Sequence, residues 1–131
     1  MACAVFRRAG RHAYTQVGVR RSSRDFRVAE IGVFSDEPAD IGASIHDPEV
    51  IALVVEVWSE SSDDKDWNSQ WYADRGIPEY WLAEPVAGDK FGALITRYEL
   101  ARTASGQARY VEIDTVTLAK LERDGLGSTS G

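Results

Sequence analysis

Residues 51–62 read IALVVEVWSESS: consecutive apolar side chains, one carboxylate among them, and a closing cluster of small polar residues. The apolar positions lack the spacing of a helix face, which fits a strand covered on both sides near the middle of a sheet. The longest apolar run, residues 50–55, has six members, against roughly 18 needed to cross a bilayer, so no membrane-spanning helix is expected. Glu56 stands out because a charge on such a strand needs a counter-charge or a metal ion. Arg20, Arg27 and Arg97 are the candidate counter-charges.

Downstream of this strand the pattern changes to helical. Ser61, Ser62 and Asp63 can cap an N-terminus, Asp64 and Asp66 suit a first turn, and Gly76 followed by Pro78 ends the segment. A helix over 64–75 is predicted, anchored by Trp67 and Trp71, with Lys65, Asn68 and Tyr72 on an adjacent stripe. Residues 79–83 (EYWLA) then read as a strand. Residues 93–101 and 108–114 read as a hairpin around Ser105-Gly106, and 115–123 as a last strand or a short helix. The Gly/Ser stretch 125–131 is expected to be a flexible tail.

Upstream, residues 12–20 and 26–34 (FRVAEIGVF) read as two strands that can pair as a hairpin. Residues 35–48 are acidic, carry Pro38, Gly42 and Pro48, and read as a loop of about a dozen residues. Glu30 repeats the situation of Glu56, a carboxylate inside an apolar strand, sharing its side with Val28 and Phe34. If the two strands are neighbours, both acids converge on one cavity. Two carboxylates and a backbone carbonyl suit a hard divalent cation, Mg²⁺ or Mn²⁺, which polarises a phosphoryl oxygen. Lys65 or Asn68 could then orient a water or a phosphate oxygen.

Charge and motif content narrow the alternatives. The net charge is −6, yet residues 1–27 hold seven arginines and one acid, a basic arm on an acidic body. The arm fits DNA contact or simple solvation, and the overall sign opposes a purely electrostatic DNA binder. There is no GxxxxGK[ST] loop, no GxGxxG and no GxSxG elbow, so P-loop, Rossmann and serine-hydrolase chemistry lack support. A single cysteine, Cys3, excludes an intrachain disulfide, and with His12 and His46 it cannot build a zinc finger. The chain is expected to be cytoplasmic.

Three blocks carry a resemblance: FRVAEI at 26–31, LVVEVWSESS at 53–62, and WYADRGIPEYWL at 71–82. They resemble the Uma-two family of proposed restriction endonucleases, within the PD-(D/E)XK nuclease superfamily, over about residues 11–113. The resemblance implies an α/β fold, a mixed central β-sheet with a flanking helix, restriction-endonuclease-like, together with a Mg²⁺ or Mn²⁺ site and hydrolysis of DNA phosphodiesters. It places acidic ligands at Glu30 and Glu56 and a helix lysine at the position of Asn68; to these we add the Val57 carbonyl on the metal, with Lys65, one turn earlier on the same stripe, or Asn68 positioning water. Two positions depart from the family: Glu30 stands where aspartate after proline is usual, and Asn68 where the helix lysine is usual. The family also carries a longer N-terminal portion, so the chain is expected to be shortened there.

These readings lead to one nuclease-like domain over 1–124 that acts as a weak metal-dependent endonuclease on DNA. The alternative is a catalytically degenerate interaction domain with the same fold. A homodimer or higher assembly is expected in either case.

Overall fold

A computed structural model describes Phe6 and residues 11–22, 25–36, 45–57, 65–86 and 92–124, excluding the side chains of 21, 22, 25, 65–68, 122 and 124. The elements are β1 (His12–Ser22), β2 (Asp25–Phe34), β3 (Ile45–His46), a 3₁₀ turn (Pro48–Val50), β4 (Ile51–Val57), α1 (Lys65–Asp74), β5 (Glu79–Pro85), β6 (Ala93–Arg102), β7 (Ala108–Thr117) and α2 (Leu118–Asp124). The strands form one mixed seven-stranded sheet in the order β3-β1-β2-β4-β5-β6-β7. Strand β4 lies at its centre, as the apolar run requires, with Leu53, Val54 and Val55 almost fully buried. It pairs antiparallel with β2 and parallel with β5, and α1 makes the crossover that a parallel pair needs.

Two cores lie on the two faces of the sheet. One joins Ile31, Val33, Leu53, Val55, Trp81 and Ile95 to Phe6 and to Leu118 and Leu121 of α2. Thr117 starts α2 by accepting the Lys120 amide on its hydroxyl at 3.1 Å, satisfying one of the unpaired first-turn donors. The other core joins Val17, Val19, Phe34, Val54, Tyr80 and Leu82 to Trp71 and Tyr72 of α1.

The end of α1 is set by sequence chemistry. Gly76 has φ 82°, its amide donates to the Ala73 carbonyl at 2.9 Å, and the Ile77 amide reaches back to the Tyr72 carbonyl at 3.4 Å. This is a Schellman closure, for which glycine at the left-handed position is the favoured residue. Ile77 then seats in the core at 0% exposure, which fixes the angle between the helix and β5.

Three expectations change. The stretch 35–48 is not all loop, because Ile45–His46 pairs in parallel with Gly18 and Val19 of β1. Residues 115–123 divide, strand to Thr117 and helix from Leu118. Glu30 does not share one side of its strand with both Val28 and Phe34: Val28 is 47% exposed and Phe34 only 3%. The reason is a change of phase in β2, described below. The helix-cap residues 61–64 and the tail 125–131 lie outside the described residues, and so do residues 37–44 of the loop.

Candidate active site

Glu56 lies near the end of β4 in front of α1. The β2–β4 ladder ends with Ile31 opposite Val55, the residues next to Glu30 and Glu56, and the charge of Glu30 acts on Glu56. Tyr72 of α1 completes the group: its hydroxyl donates to Oε1 of Glu56 at 2.8 Å, while its ring is buried against Trp71 and Tyr80.

Burial raises the Glu56 carboxyl from the ordinary 4.5 to about 7; the Tyr72 hydrogen bond opposes the rise, the charge of Glu30 adds to it, and Arg27 opposes it more weakly. Burial also pushes the Tyr72 phenol far above the usual tyrosine range, reinforced by the charge of Glu56, so Tyr72 stays a hydrogen-bond donor at any working pH. The site therefore holds two acids within electrostatic reach of each other, one half-buried and one exposed.

Glu30 owes its position to a feature that alternation alone does not reveal. Ala29 and Ile31 are two residues apart and would face one way on a regular strand, yet they belong to opposite cores. On β1, Tyr14 and Val17 face the same core although they are three residues apart. Both strands change phase together, so the pairing of Thr15 with Ile31 and of Val17 with Ala29 keeps its register. Gln16 sits at the change with φ 54°, a backbone region rarely occupied by non-glycine residues. Its side-chain amide donates to Oε2 of Glu30 at 3.2 Å. Gly32 accommodates the bend, since a Cβ there would meet Cβ of Val17 at 2.7 Å. Strained backbone of this kind tends to occur at functional sites. The only signal for Gln16 in the sequence was its place opposite Glu30 in a hairpin of this register.

The candidate counter-charges of Glu56 separate clearly. Arg97 is committed elsewhere: its Nε donates to Oδ1 of Asp114 at 2.6 Å and its guanidinium lies over Trp81. Arg20 faces Asp47 at 3.6 Å. Arg27 is the one whose charge acts on Glu56. Val57 follows Glu56 in β4 and is half exposed. The backbone of Lys65 and Asn68 is helical, Asn68 one turn before Tyr72, but their side chains lie outside those described.

Beside the acids, a cleft of about 450 Å³ opens between α1 and strands β5 to β7, lined by Gln70, Leu82, Glu84, Tyr98 and Arg109 among others. Leu82 is the β5 partner of Glu56, so the cleft starts next to the acidic pair. Its wall is held by Gln70, which donates to the Ala108 carbonyl at 2.8 Å, and by Tyr110, which donates to the Ile77 carbonyl at 2.8 Å.

No group of three or more His, Cys, Asp or Glu suited to a metal occurs among the described residues. The donor set on offer is thus two carboxylates and main-chain oxygen. It fits Mg²⁺ or Mn²⁺, which keep several waters and take few protein ligands, and a cation would favour the charged form of Glu56 that burial, with a smaller contribution from Glu30, disfavours.

A mixed sheet carrying paired strand-borne acids beside a crossover helix is compatible with the restriction-endonuclease class of architecture. The chain belongs to the Uma2 family, described as putative restriction endonuclease, whose family model matches residues 2–117. A search of curated proteins gave no match. Among the described residues no helix is long and apolar enough to cross a membrane.

Proposed function

We propose that the protein is a metal-dependent nuclease that hydrolyses DNA phosphodiesters at the Glu30–Glu56 pair. The observation that carries this reading is the placement of the two acids at the end of the β2–β4 ladder, each next to a member of its last pair, with Tyr72 fixing one oxygen of Glu56. Glu30, Glu56 and the Val57 carbonyl would hold Mg²⁺ or Mn²⁺. A divalent ion there supplies Lewis-acid polarisation of a phosphoryl oxygen and lowers the pKa of water.

The remaining roles belong to the chain itself. Tyr72 holds the Glu56 carboxylate in one orientation, and Gln16 does the same for Glu30, as partners of ligands do in metal sites generally. Asn68 stands at the helix position of the family pattern and Lys65 one turn earlier, and one of them would orient water; an amide at 68 can align a water but brings no positive charge. Activity is accordingly expected to be weak. The adjoining cleft offers room for a nucleotide next to the scissile bond.

The test is a Mn²⁺-dependent plasmid-nicking assay. Wild type should nick slowly, Asn68→Lys should raise the rate, and Glu56→Gln should abolish it in both backgrounds. Nicking that survives Glu56→Gln would overturn the reading.

A second reading, an interaction domain that assembles through its sheet, has one observation in its favour. Val111 and Ile113 are 49% and 53% exposed on β7, which is an edge strand, and such edges invite pairing with a second copy. Sedimentation at tens of micromolar separates a 14.5 kDa monomer from the homodimer that this reading expects.

A further inference from the structure

Two neighbouring carboxylates repel a phosphodiester, so a nuclease site of this kind needs positive charge near the phosphate in addition to its metal. The family pattern places that charge on the helix, at the position of Asn68. The structure offers a cation from the opposite wall. Arg27 pairs with Val19 in the β1–β2 hairpin, and Val19 is fully buried in the core beneath α1. Cross-strand partners share a face, so Arg27 projects onto the α1 side of the sheet, with two residue pairs between it and the phase change at Glu30.

Its guanidinium carbon lies 5.4 Å from the Trp71 ring centroid. Trp71 packs edge-on against Tyr72, with ring centroids 5.4 Å apart, and Tyr72 bonds Glu56. The charge of Arg27 reaches both members of that pair. A guanidinium that lies over an aromatic ring carries five in-plane donors, enough to make planar contacts to phosphate oxygens beside its other interactions. Arg75 provides an internal comparison: it also lies over Trp71, at 4.8 Å, but does not act on Glu56 or Tyr72.

We propose that Arg27 is the phosphate-contacting cation of this site, serving from β2 the role that the family pattern gives to a lysine on the helix. The inference rests on the nuclease reading and assigns a residue that neither the family pattern nor the motif spacing singles out.

The test is fluorescence anisotropy of a labelled duplex titrated with the full chain in EDTA, over about 50 to 200 mM salt, where phosphate contacts set the slope of affinity against salt. Arg27→Met should weaken binding about tenfold at the lowest salt and reduce the salt slope by about one, the signature of one lost phosphate contact. Arg27→Lys should keep the slope, and Arg75→Met should leave both quantities at the wild-type value. Arg27→Gln serves if thermal melting shows that the methionine variant does not fold. An unchanged slope in the Arg27 variants, with wild type binding, overturns this assignment alone. An equal loss in Arg75→Met also overturns it, because packing on Trp71 would then account for the effect. A wild-type chain that binds no duplex overturns the nuclease reading and the assignment with it.

Discussion

Strands β2 and β4 each carry one acid of the proposed site, and they do so by different physics. Strand β4 is regular and central; Glu56 is half-buried there because it directly follows the buried Leu53, Val54 and Val55, and the Tyr72 hydroxyl bonds it. Strand β2 breaks its alternation at Glu30, which stays exposed and is held by Gln16 across the hairpin. One acid is made unusual by its surroundings and the other is delivered by a backbone distortion. Chemical substitutions should therefore act most strongly at Glu56, and conformational ones at the Gln16–Glu30 step.

The largest expected effect is on metal affinity. Replacing groups that merely orient ligands typically costs 10–100-fold, so Glu56→Gln, which removes a ligand, should weaken Mn²⁺ binding by at least about 100-fold. Glu30→Gln should cost less, because an exposed ligand is more readily replaced by water. Electron paramagnetic resonance of free Mn²⁺ reads both variants, and equal losses would erase the proposed asymmetry.

Next comes stability against pH. The folded chain holds a proton on Glu56 up to about pH 7, whereas the unfolded chain releases it near the ordinary 4.5. Between those values the folded state binds more protons, so stability in the absence of metal should fall as pH rises through that window. The effect should amount to roughly 1–3 kcal/mol after allowing for partial solvation. Glu56→Gln should flatten this dependence and be more stable than wild type at pH 8. Thermal melts across pH 4 to 8 check the sign, and Glu30→Gln should reproduce only a small part of it.

The smallest effect concerns the hairpin. Gln16→Gly suits φ 54° and removes the amide, so it should leave the melting temperature unchanged or higher while lowering Mn²⁺ affinity a few-fold, toward the lower end of outer-partner effects. Gln16→Ala retains the strained backbone and should lose affinity without any gain in stability. A glycine variant with wild-type Mn²⁺ affinity would mean that Gln16 does not hold Glu30.

The same contrast explains which parts of the molecule could be read in the sequence. Strand β4, the helix that follows it and the Gly76 stop were legible because burial, helical spacing and a left-handed cap leave residue-type signatures. Glu56 was legible as an anomaly within an apolar run. The phase change at Gln16 was not, since glutamine carries no preference for positive φ and FRVAEIGVF looks like an unbroken strand. Strand β3 was hidden because two residues are too few for a period. Arg27 was one of three candidate partners for Glu56, and only the three-dimensional structure shows that its charge is the one of the three that acts there. Asn68 and Lys65 were read from the helix stripe, and the family pattern singles out the position of Asn68 alone.

The central claim is that Glu30 and Glu56 form one cation site, and a crystal structure of the protein soaked in Mn²⁺, read by anomalous scattering, tests it most directly. One Mn²⁺ peak with oxygens of both carboxylates at roughly 2.0–2.6 Å is the expected result. Carboxylates more than about 8 Å apart, beyond what one ion at such bond lengths can bridge, with no peak between them, would contradict it.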